Sequence, residues 1–202
     1  MVTGVWQSGA VRHYTARRAA RVLLVDAADR LLLFRGFDPA RPEGGRWWFT
    51  PGGGLDPGET YAECAARELA EETGLRLTAA AFGEPVHADL TEFTFDGVWY
   101  RQEQRFFLVR VAAHEVDTTG FSEIERGSVD GHRWWSTREL GATGERCYPP
   151  DLPAVLARAL ADRSALVDIP AAGNLPLSER SAVVDDLTLG DNNPTVAGDP
   201  TC

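Results

Sequence analysis

Residues Gly53 to Leu75 read GGLDPGETYAECAARELAEETGL, and this stretch decides the fold around it. Thr60 followed three residues later by Glu63 has the form of a capping box, which starts a helix. Gly74 supplies the helix stop. Small and apolar side chains recur at helical spacing and predict one face that packs on a core; they belong to Ala62, Ala65, Ala66, Leu69 and Thr73. The stretch therefore predicts a glycine-rich loop, a helix and a sharp end.

Folding rules do not explain the three glutamates on this helix, Glu68, Glu71 and Glu72. At helical spacing their carboxylates fall within an arc of about 100°. Like charges this close weaken a helix by about 0.2–0.5 kcal/mol per pair, so something must offset the repulsion. A hard cation that binds carboxylate oxygens, water and phosphate fits this need. The cluster predicts a site for Mg²⁺, with Mn²⁺ as the alternative ion.

The spacing of the whole stretch resembles the Nudix box, G-x5-E-x7-R-E-U-x-E-E-x-G-U with U aliphatic. Every fixed position is filled, by Gly53, Glu59, Arg67, Glu68, Leu69, Glu71, Glu72, Gly74 and Leu75. A pattern with this many constrained positions is far more specific than a lone glycine motif. The flanks resemble the family more loosely, over about residues 18 to 160.

The resemblance implies roles for individual residues. Glu68, Glu71 and Glu72 are the expected metal ligands. Glu59 and Arg67 are expected to support the fold of the box, although Arg67 also has a plainer interpretation as a helix-surface ion pair with Glu63, since such pairs are common and weak.

The general base is less well defined by the sequence. Glu68 is the first candidate, because it occupies the box position that most often has this role. Glu103 is the second candidate for the base, and also for a further metal ligand, because it precedes an apolar strand. Its plainer interpretation is a solvated loop carboxylate. Glu123 and Glu125, on a late acidic connection, are weaker candidates.

Two sets of residues are candidates for binding substrate. Gly52 and Gly53 allow close backbone approach, so they are expected to lie against a diphosphate, with a tight turn as the alternative. Trp47 and Phe49 share one face if they lie on a strand, and are candidates for stacking on a base. Core packing is the alternative for these aromatic residues.

Composition excludes several classes of protein. The net charge is −10 and the sequence pI about 4.9, which argues against binding of duplex nucleic acid, because backbone contacts need a basic surface. Three cysteines, Cys64, Cys147 and Cys202, have no metal-like spacing and predict no disulfide framework. No signal peptide or membrane span is evident, so the expected location is cytoplasmic and no membrane partner is expected.

The order of elements predicts an α/β fold, and the resemblance implies the same: an α/β/α sandwich with a mixed central sheet and a loop–helix–loop box. The expected organisation is an N-terminal arm over residues 1–18, one domain over 19–166 and a mostly disordered C-terminal tail over 167–202. Strands are predicted at 20–25, 31–34, 76–86, 90–99, 103–113 and 132–135, and further helices at 137–140 and 152–166.

The function implied is a Mg²⁺-dependent pyrophosphohydrolase, in which water attacks phosphorus in a nucleoside diphosphate linked to another group. The small-molecule partner would be a nucleoside triphosphate or a sugar nucleotide. The alternatives are a non-catalytic Nudix-like sensor of a nucleotide ligand and, against the intact box, an isopentenyl diphosphate isomerase. The resemblance also makes a homodimer a candidate assembly.

Overall fold

The computed structural model describes residues 13–162 and 167–169, in which eight strands and four α-helices form. The strands are β1 (Thr15–Val25), β2 (Leu31–Gly36), β3 (Trp47–Phe49), β4 (His87–Phe95), β5 (Val98–Val111), β6 (Val129–Trp135), β7 (Cys147–Tyr148) and β8 (Val167–Ile169). The helices are α1 (Tyr61–Thr73), α2 (Glu123–Ser128), α3 (Thr137–Ala142) and α4 (Leu152–Ala161). No helix in this part of the chain is long and apolar enough to cross a bilayer.

The strands form one mixed sheet in the order β4-β5-β1-β2-β3-β7, with β6 added to β2 and β8 to β5. β1 runs parallel to β5 along its whole length but pairs with β2 only at Val25 and Leu31. The edge of β1 that β2 leaves free is taken by the glycine-rich loop. Ala20 and Val22 donate backbone hydrogen bonds to the carbonyls of Gly53 and Pro51. This pairing fixes the loop on the sheet.

Helices cover both faces of the sheet, which confirms the predicted α/β/α sandwich. Alternate residues of β1 and β5 point to opposite faces. One face packs on α1, through Val22, Phe107 and Leu69 among others. The other packs on α3 and α4, with Leu23 and Leu108 in that core.

The strand predicted at residues 76–86 is wrong. The segment contains a short 3-10 helix, Ala79–Ala81, and its apolar residues Leu77 and Phe82 pack on the α1 side of the sheet from a loop. The predicted division between strands 90–99 and 103–113 is also wrong, because the turn lies earlier in the chain. β4 and β5 form one hairpin whose turn is Asp96-Gly97, both with positive φ, as an Asp-Gly turn favours.

The first expected domain boundary falls within strand β1, and the second falls at the start of strand β8. β1 begins at Thr15, which pairs with Tyr100, so the strand includes the end of the segment expected to be an arm. At the other end, β8 pairs in parallel with residues 109–111 of β5, within the segment expected to be a tail. The remainder of the arm, 1–12, and of the tail, 170–202, lies outside the described residues.

Candidate active site

The helix that carries the glutamates begins and ends as its sequence predicts. The Thr60 hydroxyl accepts from the backbone N–H of Glu63, and the Glu63 carboxylate accepts from the N–H of Thr60, which completes the capping box. Gly74 ends the helix in the left-handed conformation, with φ of 75°. Because α1 packs its apolar face on β1, Glu68 and Glu72 are carried to the border of the glycine-rich loop and are both buried.

The glycine-rich loop lies directly against these two carboxylates. The Gly52 N–H donates to Glu72 Oε2 over 2.7 Å. A Cβ on Gly53 would stand 2.4 Å from Glu68 Oε1, closer than any real contact. Gly52 also has φ of +125°, and a Cβ there would overlap the carbonyl of Ala20. Only glycines allow this loop to lie between β1 and the two glutamates.

A third carboxylate completes the cluster. One oxygen from each of Glu68, Glu72 and Glu125 lies within 4.8 Å of the others. Glu125 comes from α2, where it also closes a second capping box by accepting from the Ser122 N–H. The sequence pattern Ser-x-x-Glu explains Glu125 as a cap residue, so nothing local indicated its place beside α1.

Burial sets the electrostatics of the cluster. It raises the pKa of Glu68, which the positive charge of Arg67 opposes. Burial also raises the pKa of Glu72 well above its ordinary value; the charge of Glu68 adds to this, and the Gly52 N–H opposes it. Buried carboxylates held this close either bind a proton or are compensated by a positive charge. Three oxygen ligands of this kind fit a hard divalent cation such as Mg²⁺.

Arg67 holds the box together. Its Nε and Nη2 donate to the two oxygens of Glu59 at 2.7 and 3.0 Å, its Nη2 donates to the carbonyl of Gly54, and its Nη1 donates to Glu68 Oε1 at 2.9 Å. The hydrogen bonds from Arg67 hold the pKa of Glu59 below its usual value. The proposed partner Glu63 is engaged in the capping box instead. Arg67 therefore ties the loop, Glu59 and Glu68 into one unit.

Two of the predicted ligands lie apart from the cluster. Glu71 is half exposed, and its Oε2 lies 3.2 Å from Arg67 Nη1. Glu103 is exposed on β5, where it accepts from the Tyr61 hydroxyl at 3.0 Å at the start of α1. The metal or base roles of these two residues therefore stay predictions from the sequence.

The aromatic candidates lie on β3. Trp47 packs edge-on against Tyr148, with ring centres 6.0 Å apart, and Phe49 packs on Phe34 at 6.2 Å. Trp48 points the other way into the core, as the strand alternation predicts. Substrate stacking by Trp47 or Phe49 stays a prediction, since each ring packs on one of these aromatic neighbours.

Cys64 is a small buried residue, as expected. Its thiol donates to the Gly53 carbonyl at 3.5 Å, and burial raises its pKa to about 12. A thiol with this pKa stays protonated and unreactive at neutral pH. Its contribution is packing behind the loop.

Comparison with known proteins identifies the family. The family model described as the NUDIX domain matches residues 15–157, which include the whole cluster and its supporting loop. The chain belongs to the Nudix family.

Individual Nudix relatives agree with this assignment. An uncharacterized Nudix hydrolase, orf19, of Rhodococcus erythropolis is 32% identical over 145 residues, which cover 69% of this chain and 75% of that protein. The RNA pyrophosphohydrolase of Erythrobacter litoralis is 44% identical over 78 residues, 35% of this chain, and the match spans about half (48%) of that protein's length. The solved MutT protein of Methanosarcina mazei Go1 superposes with a TM-score of 0.56 at 19% identity, over 76% of this chain and 99% of that one, which shows the shared fold.

The arrangement around Arg67 leads to a first prediction. In Arg67→Lys the charge remains, but a lysine cannot reproduce the forked contacts to Glu59 and Glu68. We expect a loss of about 10–100-fold in Mg²⁺ affinity, because supporting partners of metal ligands have effects of this size. Calorimetric titration with Mg²⁺ measures this loss. Arg76→Lys, in an exposed residue just after α1, is the control, and equal affinities in the two variants would contradict the role given to Arg67.

Proposed function

We propose that this chain is a Mg²⁺-dependent pyrophosphohydrolase, active also with Mn²⁺, that cleaves a nucleoside diphosphate linked to another group. The substrate class is a nucleoside triphosphate or a sugar nucleotide, and the reaction is attack of water on phosphorus. The observation that carries the proposal is the carboxylate cluster at the edge of the glycine-rich loop, in which Glu68 and Glu72 are buried and Glu125 is partly buried.

The proposed metal ligands are carboxylates from α1, α2 and β5. Glu68, Glu72 and Glu125 would hold the ion, with Glu71 and Glu103 as further candidate ligands. When bound, a divalent ion neutralises phosphate charge and makes a bound water more acidic.

Glu68 is the proposed general base, because burial raises the pKa of its carboxylate and so makes it a stronger base than an exposed glutamate. Gly52 and Gly53 would present backbone to the diphosphate from the other side of the cluster. Arg67 and Glu59 keep the loop and Glu68 in position.

The relatives named RNA pyrophosphohydrolase add a further substrate to be tested, the 5′-triphosphate end of an RNA chain. Binding the 5′-triphosphate at one end of an RNA requires no extended basic surface, so this substrate is compatible with the net charge of −10.

A substrate panel tests the proposal. Nucleoside triphosphates, sugar nucleotides and a short RNA with a 5′-triphosphate are incubated with Mg²⁺, and products are identified in ¹⁸O-labelled water to locate the phosphorus attacked. We expect ¹⁸O in a phosphate product. We also expect no activity in the presence of a chelator, and activity again when Mn²⁺ is added. Tight binding of a panel member without hydrolysis would contradict the proposal and favour a ligand sensor.

A further inference from the structure

A polar strip crosses the sheet on the face opposite α1. The pairing of the strands sets Asp89 of β4, Gln104 of β5, Ala19 of β1 and Gly54 of the glycine-rich loop in one transverse row. Three strand spacings of about 4.8 Å give the row a length of about 14 Å. It therefore runs from the edge of the carboxylate cluster to the far side of the sheet, a distance that one nucleotide can cover from its phosphates to its base.

Two arginines flank the row at its cluster end. Arg17 and Arg21 lie two residues before and after Ala19, so all three share one face of β1. Arg21 donates to the carbonyl of Gly52, whose N–H binds Glu72, and the Arg17 guanidinium lies against Gly54. Within residues 13–162 and 167–169, neither arginine forms an ion pair with a carboxylate. Their forked donors suit the oxygens of a phosphate.

Buried acceptors lie in the β4–β5 part of the row and next to it, where Gln102 stands two residues before Gln104 on the same face of β5. Gln102 and Gln104 are only 1% and 6% exposed. The Gln102 amide donates to Gln104 Oε1 at 3.0 Å, which leaves Gln102 Oε1 buried without a hydrogen-bond partner among the described residues. Asp89 Oδ1 is buried without a partner in the same way. Buried acceptors are rarely left unsatisfied in proteins, so these two atoms call for a donor from outside this part of the chain.

We propose, on the basis of the function proposed above, that this strip is the nucleotide subsite of the same active site and selects a guanine base. The edge of guanine presents a ring N–H and an amino group side by side, two donors for the acceptors of Asp89 and Gln102. Its neighbouring carbonyl can accept from the Gln104 amide. Adenine and cytosine present one donor beside an acceptor, and uracil one donor between two carbonyls. Arg17 and Arg21 then contact the phosphates that lead to the carboxylate cluster.

The first test compares bases. The intact protein is assayed with GTP, ITP, ATP and XTP under the same Mg²⁺ concentration. We expect kcat/KM for GTP to exceed that for ITP, which lacks only the amino group, by about tenfold or more, because a hydrogen bond to a charged acceptor is lost. Equal values for the four nucleotides would overturn the proposal.

The second test exchanges the acceptor. In Asp89→Asn the new amide group can donate to the second carbonyl of xanthine, so the XTP-to-GTP ratio should rise by about tenfold or more. A gain for XTP cannot come from misfolding. Glu92→Gln removes the same charge from the exposed side of β4, and should leave the ratio unchanged. An unchanged ratio in Asp89→Asn would count against the subsite.

Binding separates this proposal from the proposed function. Calorimetry measures the affinities for GMP and AMP without metal, and this measurement does not depend on hydrolysis. Preference for GMP that Asp89→Asn removes supports the subsite even if no nucleotide is cleaved; equal affinities refute it. Short RNAs that begin with 5′-triphosphorylated G or A identify the source of the base. A G preference for RNA alone would assign the subsite to an RNA end, and one for GTP to a free nucleotide.

Discussion

Glu68→Gln is expected to lower kcat by about 10³-fold or more while the protein remains folded. The side chain keeps its size beside Gly53, so the tight contact between helix and loop persists. The amide can still accept from Arg67, but it cannot take a proton from water and is a poorer ligand for a cation. Loss of a general base alone costs about 10²–10⁴-fold, and weaker metal binding adds to this. Steady-state rates on the substrate found in the panel measure the effect.

The matched control lies on the same helix. Glu63→Gln makes the same chemical change one turn earlier, at an exposed position where glutamine also completes a capping box. Its kcat should equal that of the unmodified protein. Both variants should show the same circular dichroism spectrum. Near-normal turnover in Glu68→Gln would remove Glu68 from its role as base.

The structure of the Nudix box could be predicted because the residues that determine it are close together in the sequence. The cap at Thr60, the stop at Gly74 and the apolar stripe of α1 all lie within one short segment, and helical geometry then fixes where Glu68 and Glu72 stand. Leu77 and Phe82 show where such inference fails. Their apolar side chains predict a strand, but tertiary packing buries them equally well from a loop.

The rest of the site depends on pairings that a single sequence does not show. Glu125 reaches the cluster only through the tertiary placement of α2, and its own sequence pattern indicates no more than a helix cap. The place of Glu103 beside the Tyr61 hydroxyl at the start of α1 likewise depends on the register of β5, and its role as a ligand or base stays a prediction. The row from Asp89 to Gly54 likewise exists only through the register of three strands and a loop.

Glu72→Gln is expected to abolish activity and yet stabilise the metal-free protein. Glu72 is 3% exposed, and the described contacts give its carboxylate one hydrogen bond, from Gly52. Its pKa is raised by burial, so the folded state holds a proton at pH values where the unfolded chain has lost it. This contribution to stability is complete below the ordinary glutamate pKa and is lost as pH rises through the raised value. At pH 8, where the unfolded chain has lost this proton, keeping the side chain buried therefore destabilises the fold, on the order of 1–3 kcal/mol.

Thermal unfolding at pH 5 and pH 8, in chelator and in Mg²⁺, tests this prediction. In chelator at pH 8, Glu72→Gln should unfold at a higher temperature than the unmodified protein, by about 2–4 °C for each kcal/mol. At pH 5 the difference should shrink. Mg²⁺ should reverse the order at pH 8, because only the protein with an intact cluster gains stability from binding the ion.

Glu71→Gln removes the same charge from the neighbouring, half-exposed position and should shift unfolding in chelator by no more than about 0.5 kcal/mol. A lower melting temperature for Glu72→Gln in chelator at pH 8 would mean that its carboxylate is already compensated without a cation, and the electrostatic case for a metal centre would fail with it.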